Sequence, residues 1–207
     1  AGTLQLTVAD GLGTTATTVQ TGATLAVDGG VTMKAPAVIV DGGTLAAATL
    51  AVDATSGIAS LAINAGTLAA GGAVTVSNGG LMSLVQDARV SVGVASLAVT
   101  ETAGGGRPDL GAGQVTIAAG GTTAADLRAD IVAGRNGGAW NGQTGIMSST
   151  AAAAIGGGRA VGYVVAGDGS ARVSFAAPGD TDLSGQVNVF DLVGVNSGGA
   201  YGTGQPS

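Results

Sequence analysis

Twelve consecutive residues carry the densest run of oxygen donors in the chain: Asp180-Thr181-Asp182-Leu183-Ser184-Gly185-Gln186-Val187-Asn188-Val189-Phe190-Asp191. A hard divalent cation such as Ca2+ takes about six to eight oxygens. A twelve-residue loop supplies them from positions 1, 3, 5, 7, 9 and 12. Asp180, Asp182 and Ser184 fill positions 1, 3 and 5, and Gly185 sits at position 6, where the chain must turn sharply. Gln186 offers its backbone carbonyl at position 7, Asn188 stands at position 9, and Asp191 closes the set at position 12. Val187 at position 8 is expected to pack inward. Phe190 and Val193 are expected on the buried face of a helix that leaves the loop. Mg2+ suits the set less well, because it keeps its water and prefers octahedral geometry.

Other chemistry is scarce. The chain has no histidine and no cysteine. This removes the Ser-His-Asp triad, histidine-ligated zinc, thiolate metal sites and disulfides. Asp28, Asp41 and Asp53 fall in turns, and no aromatic residue precedes Trp140. A carbohydrate-active enzyme needs clustered carboxylates and aromatic platforms, so no enzyme is expected. Asp28 and Asp53 are expected to stack one coil apart as structural groups. Thirteen acids face seven bases, with Lys34 the sole lysine. No basic patch exists to neutralise phosphates, so nucleic acid is not an expected partner. No apolar run approaches the ~20 residues that span a bilayer, so membrane insertion is not expected either. The start at Ala1-Gly2-Thr3 fits either a mature chain whose leader has been removed or the boundary of a fragment.

The elements that must hold this loop are written in repeats. Forty of the 207 residues are glycine and aromatics make up only 2%. The apolar mass is therefore Ala, Val, Leu and Ile, which suits narrow, regularly stacked interiors. Leu25-Ala-Val27-Asp-Gly-Gly30, Val38-Ile-Val40-Asp-Gly-Gly43, Leu50-Ala-Val52-Asp53, Leu61-Ala-Ile63-Asn-Ala-Gly66, Val74-Thr-Val76-Ser-Asn-Gly-Gly80 and Leu97-Ala-Val99 read alike. Each alternates aliphatic residues two apart, as strands do. Most then turn on Asp or Asn with Gly, which tolerate positive φ. Val27, Val52, Val76 and Val99 follow one another at steps of 25, 24 and 23 residues, and Val40 to Ile63 is again 23. The period near 24, with a half-period near 12, predicts a right-handed parallel β-helix of about four coils over Thr3–Thr100, in which no coil buries its face alone. An antiparallel β-sandwich is the alternative.

Past Glu101 the pattern changes. Gly104–Pro108 reads as a loop or linker, and Val115–Ile117 as one more short strand. Thr123–Gly134 predicts a helix capped by Thr123, with Asp126 in its first turn, Leu127 and Ile131 on one face, and Gly134 ending it. Trp140 among glycines reads as a plug closing a core. Ser148–Ile155 predicts a second, Ala-rich helix. Val161–Val165 and Ala171–Phe175 flank Gly167-Asp168-Gly169 and predict a hairpin. The expected organisation is a repetitive solenoid over 1–121, a small α+β segment over 122–177, and the calcium loop with its tail over 178–207.

The Leu-x-Val-x-x-Gly-Gly-x-Leu units of the first half resemble repeats of autotransporter-type passengers and related bacterial surface adhesins. The stretch with Arg135–Gly142 and Gly162–Tyr163 is similar to a region of secreted repeat proteins of planctomycete-type bacteria, where it lies between repeats and a calcium module. Asp at position 12 departs from the usual Glu and resembles dockerin modules, whose complete form carries two such loops. Only one is present, so the chain is read either as truncated before the second loop or as carrying a half-module. These resemblances imply an extracellular or cell-surface protein of a bacterium, structural or adhesive. Its expected partner is itself, in a fibre, or another surface protein. The alternative they imply is a dockerin-like module attaching to a cohesin-like partner.

Overall fold

A computed structural model of the chain describes residues 2–8, 12–29, 31–84, 90–100, 104–154 and 158–197, the last four by backbone only. The protein is a mainly β solenoid of about five turns, closed at one end by a small cap.

Three parallel ladders of short strands build the solenoid. The first joins β1 (Gly2–Leu6), β3 (Ala23–Val27), the second half of β4 (Val38–Ala47), the second half of β6 (Ser60–Ala70), β9 (Ser91–Val94) and β12 (Gln114–Ile117). The second joins β2 (Thr17–Gln20), the first halves of β4 and β6, β8 (Leu81–Leu84) and β11 (Arg107–Asp109). The third, a separate sheet, joins β5 (Leu50–Asp53), β7 (Ala73–Ser77) and β10 (Ser96–Val99). β4 and β6 each run round a corner, where their register shifts or their partner changes. The alternation within each strand sends every second aliphatic side chain inward. Val38, Val40, Leu45, Val52, Leu61, Ile63, Val74 and Val76 are fully buried as a result. At about 1.5–3 kcal/mol for each fully buried aliphatic side chain, this stacked interior is the dominant stabilising term.

The structure corrects the stacking expected from the repeats. Val40 does pair with Ile63, and Val52 pairs with Val76, which pairs with Val99. Val27 does not join that column, because it pairs with Ala47 on another face. A coil carries three short strands instead of two, so one twelve-residue spacing cannot describe it. Asp28 and Asp53 consequently lie at different corners. Asp28 accepts from Gln5 Nε2 at 2.6 Å. Asp53 pairs in register with Ser77 and accepts from Ser77 Oγ at 2.7 Å and Asn78 Nδ2 at 2.5 Å, one coil away. Thr55 N and Ser56 N complete its shell, each at 2.8 Å. The glycine corners pack closely. Gly66 has φ +95° and follows the Gly42-Gly43 corner of the previous coil; a Cβ on it would lie 2.2 Å from the Gly43 carbonyl oxygen.

The expected linker is part of the solenoid. Arg107-Pro108-Asp109 pairs in parallel with β8, and residues 145–147 add one further layer through Gly145 N to Gly106 O and Met147 N to Pro108 O. Glu101, where the repeat pattern changes, lies outside the described residues.

The cap grows out of the same core. Helix α1 (Ala124–Arg135) is capped by Thr123, whose Oγ1 accepts from Asp126 N at 3.1 Å. It passes Gly134 and ends at Asn136, which takes the left-handed conformation. Gly134 serves closeness instead, since a Cβ there would lie 1.9 Å from the Ile146 carbonyl oxygen. Trp140 is buried and belongs to the same core cluster as Leu127, Ile131 and Ile146. The second helix, α2, is short, covering Ser149–Ala153 with Ser148 as its cap; Ile155 lies outside the described residues. The hairpin forms as β13 (Ala160–Val165) and β14 (Ala171–Ala176), turned by Asp168, which accepts from Ser170 N and Oγ. β14 pairs antiparallel with β12, so the hairpin covers the last edge of the first ladder. No helix among the described residues is long and apolar enough to cross a membrane.

Candidate metal centre

The twelve-residue loop leaves β14 within four residues and turns back on itself, beginning with Asp180 N donating to Ala177 O. Helix α3 (Val189–Ser197) leaves it at the far end. Gly185 at position 6 has φ +87°, the sharp turn that position demands. Its N–H donates to Asp180 Oδ2 at 2.9 Å, tying position 6 to position 1.

The loop brings Asp180, Asp182 and Asp191 together, with one carboxylate oxygen from each within 4.8 Å of the other two. Asp180 and Asp191 are buried, and Asp182 is exposed. Asp191 is fixed from both sides. Its Oδ1 accepts from Thr181 N at 2.6 Å and Thr181 Oγ1 at 3.1 Å, and its Oδ2 accepts from Asn188 N at 2.8 Å. Asp182 Oδ1 accepts from Ser184 N at 2.9 Å. Three neighbouring carboxylates would ordinarily push one another up. Here the Asn188 N–H leads a set of bonds that outweighs burial and holds Asp191 below the usual carboxylate range. Asp182 is likewise held down, chiefly by the Ser184 hydroxyl and N–H, against burial and the Asp191 charge.

One atom points to a ligand. Asp180 Oδ1 is buried and has no hydrogen-bond partner, although its twin Oδ2 is bonded to Gly185. A buried carboxylate oxygen left without a donor is costly, and a hard cation among three carboxylates would satisfy it. The donor set, all oxygen, fits Ca2+. The remaining expected ligands are less drawn in. Ser184 Oγ donates to the Gln186 carbonyl at 3.3 Å, so positions 5 and 7 face each other. Asn188 Oδ1 accepts from Phe190 N at 2.8 Å, which places Asn188 as the cap of α3.

The inward packing expected around the loop does not occur. Val187, Phe190 and Val193 are exposed, and so are Val189 and Leu192. The inward residue is Leu183 at position 4, with φ +55°, which is buried against the hairpin. Its Cδ2 would lie 2.9 Å from a Cβ placed on Gly162 of β13. Arg172 of β14 donates through Nη2 to the Asp182 carbonyl. Sequence reading missed Thr181, Leu183 and Arg172. The one signal for Arg172 is its position: on a strand with inward Ala171 and Val173, it must face outward. Comparison with known proteins finds no family model, no curated protein and no solved structure that matches this chain.

Proposed function

We propose that the chain is an extracellular structural protein of a bacterial surface, non-catalytic, in which a short β-solenoid provides reach and a Ca2+ ion orders the C-terminal segment for contact with a second copy of the chain. The observation that carries the reading is the buried, donorless Asp180 Oδ1 beside Asp182 and Asp191. The resident ion would be held by Asp180, Asp182 and Asp191, with the Ser184 hydroxyl, the Gln186 carbonyl and Asn188 completing its oxygen shell. Sites of this class in extracellular modules fill at about 10⁻⁴–10⁻³ M calcium. The exposed row of Val189, Phe190, Leu192 and Val193 on α3 supports a contact role, since an apolar patch in water favours association.

Sedimentation velocity in millimolar calcium and then in excess EGTA tests this. Large species that dissolve on chelation are expected, and fibres should then be visible by microscopy. A monomer in both buffers rules out calcium-driven assembly. The same exposed α3 face favours a second reading, a dockerin-like module that binds a cohesin-like surface protein. That reading predicts a monomer that captures such a partner and loses it when Asp180 and Asp182 are both changed to Ala.

A further inference from the structure

The metal loop is docked on the outside of the cap. In β14, Ala171 and Val173 face the core, and Val173 pairs with core residue Val115 of β12. Arg172, Ser174 and Ala176 therefore face the other way. So does Gly162 of β13, the register partner of Ser174. Ser174 and Ala176 are nevertheless buried. Leu183 lies over the Gly162–Ser174 pair, and Arg172 grips the Asp182 carbonyl. Both contacts come from one stretch of loop: Asp182 is position 3 and Leu183 position 4, between the side chains that offer oxygens at positions 3 and 5. Asp182 thus carries both an ion-ligating carboxylate and a carbonyl held by the hairpin, and Leu183 beside it covers the hairpin.

We infer that this loop is a calcium-dependent latch on the cap, so that filling the metal site protects the β13–β14 hairpin and, through it, the edge of β12. The inference rests on the calcium reading above. It follows from linkage: an ion that binds only while Leu183 and Asp182 are docked stabilises the docked state by the factor 1 + [Ca2+]/Kd. With a Kd of about 10⁻⁴–10⁻³ M and calcium at about 10 mM, opening of the hairpin is suppressed about ten- to a hundredfold.

Hydrogen exchange by mass spectrometry on the full chain reads this directly, alongside calorimetric titration with calcium alone. Peptides covering 160–176 are expected to exchange about ten- to a hundredfold more slowly in calcium than in EGTA, while those from β5 and β7 stay the same. In Leu183→Ala the titration should still show binding, more weakly, and the hairpin should lose its response. Arg172→Gln gives a second, milder uncoupling should Leu183→Ala fold poorly. Calcium binding without any change over 160–176 overturns the latch and leaves the metal site standing. Heatless titrations together with unaltered exchange remove both.

Discussion

The solenoid and the metal loop solve the same problem, holding a chain poor in large side chains, by opposite means. The solenoid repeats one solution: Val52 lies on Val76 and Val76 on Val99, one apolar column running through three successive coils. The loop uses single, non-repeating contacts. It has one buried aliphatic anchor, Leu183, one guanidinium grip from Arg172, and two carboxylates, Asp182 and Asp191, that hydrogen bonds hold below the usual range. A repeated contact is robust because its neighbours share the load, and it responds to nothing in particular. A unique contact is weaker, and it can be set by an ion. On the proposed reading, the difference suits an ion-dependent element to the end of the stack and not to its interior.

The largest effect is expected in the stacked interior of the solenoid. Leu61→Ala empties a fully buried site between β4 and β8 and is expected to cost about 2–5 kcal/mol. Urea unfolding with and without calcium should show the same loss in both. A loss that calcium rescues would mean that the two regions are one cooperative unit. Next comes the corner carboxylate. Burial alone would push Asp53 up, but the bonds from Ser77, Ser56, Asn78 and Thr55 overcome this and set it well below the usual range. Its folded pKa lies below the unfolded value of about 3.9. The stabilisation is therefore complete above that pH and fades as pH falls toward the folded value. Asp53→Asn should cost roughly 2–3 kcal/mol near neutrality, and the gap to the parent protein should narrow below about pH 4. A gap that is constant with pH would show that the charge contributes nothing. The smallest effect belongs to the loop. Asp191→Asn should leave the main unfolding transition in EGTA where it is and abolish the increment that calcium adds to the parent. A shifted transition in EGTA would show that the loop supports the solenoid even without its ion.

How much of this was legible depended on repetition. Val40 on Ile63 and Val52 on Val76 could be read because the same residues recur at nearly the same step. Val27 misled because the first coil is shorter: Leu25 pairs with Leu45 and Val19 with Val40, steps of 20 and 21 residues against 23 for Val40 to Ile63. The three acids of the loop were legible because ligand spacing is local, and Asp180, Asp182 and Asp191 do converge. The docking was not legible. Nothing local marks Leu183 as the buried residue and Val187, Phe190 and Val193 as exposed ones, because the choice is made by Gly162, twenty-one residues earlier in the chain and adjacent only after folding. The same reason hid the role of Gly134, whose missing side chain is dictated by Ile146.

The in-register pairing of each coil with the next also makes the molecule a ruler. Neighbouring strands stand about 4.8 Å apart, so the shaft is graduated in units of one coil, and about five turns give roughly 24 Å of reach. A duplicated coil inserted at the Val52–Val76 step would meet its former neighbour on one side and, on the other, its own copy with the same aliphatic ladder. Length in such a protein can therefore change by whole graduations, with neither end redesigned to accommodate it.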